Sequence, residues 1–228
     1  MDMNKIHDTV IIGDDVKLGE GNIIHPYTII DGPIEIGNNN IIGPHCVIGC
    51  LPTDTKKTVS SFTKSMVKIG DNNIIREFSV IEQPCYEEIT IIEDNVFLMQ
   101  GVHVSHDVHI KSNSVITNNS VIAGIVKILD GANIAMGCTI NQYTTIGQYS
   151  IVATGSACMK NVKPFSKYIP GKPIGVNSYA VNKFGFKDYE EEISRYVIDG
   201  IPVESEILKE IISEFDFWVN KYNHKTYN

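Results

Sequence analysis

From Ile6 onward an aliphatic residue returns at every sixth position, and this period constrains the fold more than anything else in the chain. The first run is Ile6, Ile12, Leu18, Ile24, Ile30, Ile36, Ile42 and Ile48, and a short second run is Ile69, Ile75 and Ile81. The third is Ile92, Leu98, Val104, Ile110, Ile116, Ile122, Ile128, Ile134, Ile140, Ile146 and Val152. All 22 positions hold Ile, Leu or Val. Neither an α-helix nor an ordinary strand-turn meander repeats on six, so the period implies a solenoid.

Two residues before each aliphatic position in the third run stands a smaller one, among them Thr90, Val96, Val102, Val108, Ser114, Ser120 and Cys138. Strand side chains at i and i+2 share a face, so both point inward. The intervening positions are rich in Gly, Asn and Asp, as in Gly37-Asn38-Asn39-Asn40, and tolerate the backbone of a tight corner. One hexad is therefore a short strand plus a corner, and three close a triangular coil of about 18 residues. Roughly seven coils would stack to about 34 Å at an inter-strand spacing of ~4.8 Å. The expected fold is a parallel β-helix.

The rhythm breaks twice. Ile48 to Ile69 is 21 residues and Ile81 to Ile92 is 11, which places loop excursions near 50–67 and 82–90. Loops inserted into a regular solenoid usually sit on its working face. The pattern fades after Val152 through Pro164, Pro170 and Pro173. We therefore expect a prism over 1–185 and a C-terminal helical segment over 186–228. There Asp188 can cap a short helix and Pro202 suits the first turn of another. In the second helix Ile207, Leu208, Ile211, Ile212, Phe215, Trp218, Val219 and Tyr222 form one apolar stripe.

The length suffices for one core and an appendage, and no apolar run approaches a membrane span or a signal-peptide pattern. The five scattered cysteines read as core residues of a reduced, cytoplasmic protein. The net charge of −8 lies in residues 188–216, where ten acids face only Arg195 and Lys209, so nucleic acid is not the expected partner.

The densest chemical cluster is His103-Val104-Ser105-His106-Asp107-Val108-His109. An 18-residue coil stacks position 106 beneath Gly124 and Gln142 at one corner. Asp107 could hold the His106 imidazole in one tautomer or stabilise its charged form, and the Gly124 N–H could serve an oxyanion. The alternative is a corner histidine that simply faces solvent.

His103-Val-Ser-His106-Asp107, with Ile122-Ala-Gly124 and Gln142 downstream, resembles the active-site run of the UDP-N-acetylglucosamine acyltransferase family of lipid A synthesis. The resemblance extends to Ile24-His25-Pro26, Gly43-Pro44-His45-Cys46-Val47, the loop with Asp54 and Lys56, Ile75-Arg76-Glu77 and Pro173-Ile174-Gly175-Val176-Asn177, spanning about 6–186. It implies a left-handed coil, although ordinary crossover rules favour the right hand. It further implies His106 as general base, Asp107 as its orienting partner and the Gly124 N–H as oxyanion donor. Asp54, Lys56, Glu82, His103, Asn141 and Gln142 would contact substrate, and homotrimers would place sites between adjacent prisms. The chain departs from the pattern at Ile125, Asn141 and Glu82, each standing where the family has histidine. Lys183 and Phe184 replace its paired arginines.

These readings imply an acyltransferase moving an acyl group from an acyl thioester, coenzyme A or acyl carrier protein, to a nucleotide-linked sugar. No cofactor is expected. N-acylation of an amino sugar for cell-surface polysaccharide synthesis is favoured, because an amine tolerates loss of accessory histidines and Glu82 could bind an ammonium. The acidic tail would repel an acidic carrier protein if it lay near the donor entrance, which favours coenzyme A. The alternatives are a UDP-N-acetylglucosamine 3-O-acyltransferase of lipid A synthesis, a zinc hydrolyase of the γ-carbonic anhydrase kind using His103, His106 and His109, and a non-catalytic prism scaffold.

Overall fold

A computed structural model of the protein describes residues 3–54 and 66–227. Lys56 and most of the expected 50–67 excursion lie outside the described residues. Short strands coil into three sheets of 10, 8 and 7 strands, here called the first, second and third. Every strand pair is parallel except Ser166–Tyr168 with Gly175–Val176 at the C-terminal end of the first sheet. Residues 18 apart pair across regular coils, as Val104 with Ile122 and Ile122 with Ile140.

The aliphatic column is buried without interruption from Ile24 to Val152, whereas Ile6 at the open end is 40% exposed. The prism continues beyond Val152. Ala157–Cys158 pairs with Thr139–Ile140, and Ser166–Tyr168 pairs with Ile151–Val152. Cys158 and Tyr168 fill the inward place there, so the coil outlasts the strict aliphatic rule.

Both broken intervals appear as register jumps. Ile36 pairs with Ile69, 33 positions on, and Ile69 pairs with Ile92, 23 positions on. The first jump adds 15 residues to an 18-residue coil and the second adds five. The five extra residues form an arc between the strands Val80–Glu82 and Ile89–Ile92.

Helices begin at Ser178, within the stretch the period assigned to the prism. Asn177 caps α1 (Ser178–Lys183) by accepting a hydrogen bond from the Ala180 N–H. Asp188 does not cap the next element. It lies inside the 3-10 turn Lys187–Tyr189, where its charge still favours the helix start. This turn leads into α2 (Glu190–Ser194) and a π-turn over Arg195–Asp199 that ends on Gly200 at φ 70°. Pro202 likewise precedes the last helix, α3 (Glu206–Tyr222), which starts after Ser205. Leu208, Ile212 and Phe215 of its apolar stripe are buried. The tail has its own core of Phe165, Val181, Phe186, Ile193, Val197 and Leu208. It docks on the outer face of the third sheet, where Glu214 pairs with Lys111 and accepts from the Gln148 amide.

Candidate active site

His106 and Asp107 follow the second-sheet strand His103–Val104 and turn the corner toward the third sheet. Asp107 sits at φ 62°, a left-handed backbone that aspartate tolerates better than most residues. Its side chain is fully buried, and the five-residue arc wraps it. The N–H groups of Cys85, Tyr86 and Glu87 donate to the carboxylate at 2.9, 3.0 and 2.8 Å. Burial alone would raise its pKa. The His106 hydrogen bond and these N–H donors outweigh burial and hold the carboxyl below its usual range.

Oδ2 of that carboxylate, which also accepts from the Tyr86 N–H, faces His106, with Nδ1 to Oδ2 at 2.7 Å. An ionised carboxylate only accepts, so Nδ1 carries the proton and Nε2 keeps its lone pair. Burial disfavours the imidazolium, but the bond and charge of Asp107, aided by Glu82 and Asp54, raise the His106 pKa above its ordinary value. The Tyr86 ring lies 5.6 Å from the imidazole, and its hydroxyl donates to Asp54 at 2.8 Å.

The next coil brings Gly124 against the ring. A Cβ at Gly124 would stand 2.3 Å from His106 Cε1 and 2.5 Å from Nε2, so no larger residue fits while the imidazole stays in place. The Gly124 N–H has no acceptor among the described residues and remains available beside Nε2. Ile125, also left-handed at φ 64°, follows it along the chain. Asn141 and Gln142 stand half-exposed one coil further on.

Glu82 is placed otherwise than the sequence suggests. Its side chain is fully buried rather than presented to a ligand. Oε1 accepts from the Thr53 hydroxyl at 2.7 Å and from His103 Nε2 at 3.0 Å. Oε2 accepts from the N–H groups of Thr53 and His106. Those hydrogen bonds outweigh its burial and keep the carboxyl ionised. Glu82 thus orients His103 and fixes the main chain of His106, and no oxygen is left open for a sugar ammonium. His109 points away, paired with Glu93 at 2.6 Å on the third sheet. The three histidines of the zinc reading therefore face three different carboxylates and do not converge. No group of three or more His, Cys, Asp or Glu is placed to hold a metal among the described residues.

Residues 15–50 and 89–124 match the bacterial transferase hexapeptide family (six repeats). Comparison with curated protein sequences finds no match. The crystal structure of LpxA, a UDP-N-acetylglucosamine acyltransferase from Bacteroides fragilis, superposes with a TM-score of 0.81 at 26% identity, covering 100% of this chain and 99% of that one. This chain resembles the UDP-N-acetylglucosamine acyltransferases. The Campylobacter jejuni UDP-N-acetylglucosamine acyltransferase has a TM-score of 0.78 at 24% identity, with 93% and 94% coverage of this chain and that one. The Arabidopsis enzyme has a TM-score of 0.70 at 23%, with 96% and 90%. These two bear on the fold alone. The fold is a left-handed β-helix with a small helical tail. No helix is long and apolar enough to cross a membrane among the described residues.

Relative to the acyltransferase pattern, Lys183 and Phe184 line a separate cleft of about 320 Å³ with Lys167, Asn133, Asn177 and Tyr179. This cleft lies along the first sheet and its corner with the third. His106 stands at the corner of the second and third, across the triangle from the first sheet. One prism therefore does not bring cleft and dyad together. The sequence reading missed Tyr86, Glu87, Lys127 and Tyr222, all of which surround the dyad. The 11-residue interval located the arc but carried no sign of what its backbone would hold.

Proposed function

We propose that the protein is an acyltransferase that moves an acyl group from an acyl thioester to a hydroxyl of a nucleotide-linked, N-acetylated amino sugar. The observation that carries this reading is the His106–Asp107 dyad with its basic Nε2 beside the unused Gly124 N–H. His106 Nε2 takes the hydroxyl proton as the oxygen attacks the thioester carbonyl. The Gly124 N–H donates to the oxyanion of the tetrahedral intermediate, and Asp107 stabilises the imidazolium. Collapse breaks the carbon–sulfur bond, and the thiolate leaves with the proton held by His106. A hydroxyl needs such a base far more than an amine does.

The Bacteroides fragilis protein, similar over its whole length, is a UDP-N-acetylglucosamine acyltransferase, which supports a UDP-linked acceptor and O-acylation. N-acylation is the second reading. Ile125 and Asn141 favour it, since neither supplies accessory acid-base chemistry, but buried Glu82 no longer does. The phosphates and base of the acceptor fit the lysines and rings of the cleft at Lys167, Lys183 and Phe184. The placement of cleft and dyad on different sides of the triangle supports a working unit, a homotrimer as the resemblance implies, in which one prism's cleft meets a neighbour's dyad. Asp54, His103, Asn141 and Gln142 line the sugar and acyl subsites.

The test is thiol release from acyl-coenzyme A and acyl-carrier donors, each against UDP- and dTDP-linked N-acetylated sugars and amino sugars. Turnover with the hydroxyl acceptor and its loss in His106→Ala are expected. Turnover with amino sugars alone would replace O- with N-acylation. If His106→Ala stays within about twofold of the parent for every active pair, His106 is not the base.

A further inference from the structure

The outer face of the third sheet carries a lysine at a position that would face solvent in a bare prism. Lys127 precedes inward Ile128 on its strand and pairs with His109 and Thr145 on either side. Its side chain is nevertheless only 2% exposed. The rings of Trp218 and Tyr222, in the last turns of α3, cover it at 5.1 and 5.9 Å from Nζ. A buried ammonium persists only with good partners. Lys127 has two, and both belong to the surroundings of Asp107. Nζ donates to Glu87 Oε2 at 2.8 Å and to the Asp107 carbonyl at 2.9 Å.

Glu87 is the residue through which the arc is gripped from outside. Its N–H is one of the three donors to the Asp107 carboxylate. Its own carboxylate accepts from Tyr222 Oη at 2.6 Å and lies 3.4 Å from Lys221 Nζ. The path is short and fully bonded: α3, Glu87 with Lys127, the Asp107 cradle, His106.

We propose that α3 positions the His106–Asp107 dyad through Lys127, Glu87 and Tyr222, so that a docked tail is a condition of catalysis as well as of stability. The inference rests on the proposed role of His106 as base. Lys127 and Tyr222 touch no reacting atom and are positioning residues. Without the lysine, Glu87 loses its buried counter-charge and keeps only Tyr222 and the more exposed Lys221 outside the arc, so the arc is gripped less firmly over Asp107. The Asp107 carboxylate then shares its N–H donors with alternative positions of the arc, and the imidazole loses its fixed orientation.

The experiment uses the full chain carrying Lys127→Met, Lys127→Arg or Tyr222→Phe, each checked for parental circular dichroism and oligomeric state. Two readouts are taken. The first is kcat and KM for thiol release across pH. The second needs no substrate: the Nδ1 proton and nitrogen resonances of His106, assigned by their loss in His106→Ala. His106 is faced by Asp107, Glu82, Asp54 and Tyr86. Lys127 is faced by Glu87, Lys221, His109, Trp218 and Tyr222, so changes in the profile are read against those groups.

Lys127→Met is expected to lower kcat about tenfold or more, as misplacement of a catalytic group does, with KM within about twofold. The Nδ1 proton signal should broaden or vanish. Lys127→Arg should restore most of both, and the milder Tyr222→Phe should lower kcat about threefold while leaving the fold intact. Unchanged kcat and an unchanged Nδ1 signal in both Lys127→Met and Tyr222→Phe would overturn the proposal, whatever happens to thermal stability. If the parent turns over no acceptor, the functional reading fails while the resonance still decides whether the tail holds the dyad.

Discussion

Two corners of the same triangle put buried polar groups to opposite uses. Between the third and first sheets, Asn22, Asn40 and Asn73 point inward and are fully buried. The Asn22 carbonyl oxygen accepts from the Asn40 N–H at 2.9 Å, that of Asn40 from the Asn73 N–H at 2.8 Å, and that of Asn73 from the Val96 N–H at 2.7 Å. Each rung's side-chain oxygen holds the next N–H, and the Asn22 and Asn40 amides donate to the Gly37 and Gly70 carbonyls, while the Asn73 amide nitrogen at the end of the ladder has no partner among the described residues. Between the second and third sheets, Asp107 and Glu82 are also buried, but besides His103 and His106 they draw partners from outside the repeat: the arc for one, Thr53 for the other. What remains there is a basic imidazole nitrogen and a free N–H. A perfectly repeated coil uses up its polar groups in neighbouring coils, and a reactive corner arises where inserted residues take over that duty.

The comparison is tested most severely by His106→Ala. General-base assistance contributes about 10²–10⁴-fold, and thiol release should fall by that much with the fold intact. Next come paired glycine substitutions. In Gly124→Ala the new Cβ meets an imidazole that can swing aside, so catalysis should fall by about 10²-fold while the melting temperature changes little. In Gly43→Ala the Cβ would stand 2.7 Å from the main-chain nitrogen of Glu77, which cannot move alone. That variant should lose about 1–3 kcal/mol of stability and keep its kcat. Gly43 turns the remaining corner, between the first and second sheets, so equal effects of the two on kcat would mean that the dyad's corner does not differ from the rest of the coil.

Asp107→Asn separates charge from geometry. Activity requires neutral His106, so the rate falls as pH drops through the His106 pKa, which lies above the ordinary 6.5. Removing the Asp107 charge leaves burial as the dominant influence, and burial favours the neutral imidazole. The acid limb should therefore move to lower pH even as the plateau rate falls about 10²-fold. A limb that stays in place would show that another group sets it.

The aliphatic period made the coil legible because every coil must fill the same interior, and the interruptions located the arc to within a few residues. The chemistry of the arc was hidden for a physical reason. Cys85, Tyr86 and Glu87 serve Asp107 with main-chain N–H groups, which any residue but proline carries. Glu82 follows inward Ile81 at a corner, where a carboxylate ordinarily meets water, and only the approach of Thr53 and His103 encloses it. Lys127 sits on the outward beat of its strand, and its burial depends on where α3 docks, which no period along the prism encodes. The asparagines of the ladder read as corner residues by composition, although their side chains turn inward.

The smallest effect on activity is expected from Asn40→Ala, and it bears on the other half of the comparison. The substitution strips the Asn73 N–H of its acceptor and the Gly70 carbonyl of its side-chain donor, both in a buried setting. Leaving a buried group unpaired costs about 1–3 kcal/mol, so the melting temperature should drop clearly. The ladder touches none of the groups that hold His106, and the arc that cradles Asp107 joins the coil at a different corner. Below the melting transition kcat should thus remain within about twofold of the parent. A larger loss of kcat at a temperature where the variant is fully folded would mean that the ladder transmits strain across the interior to the dyad. The two corners would then be parts of one mechanical unit rather than separate uses of the same coil.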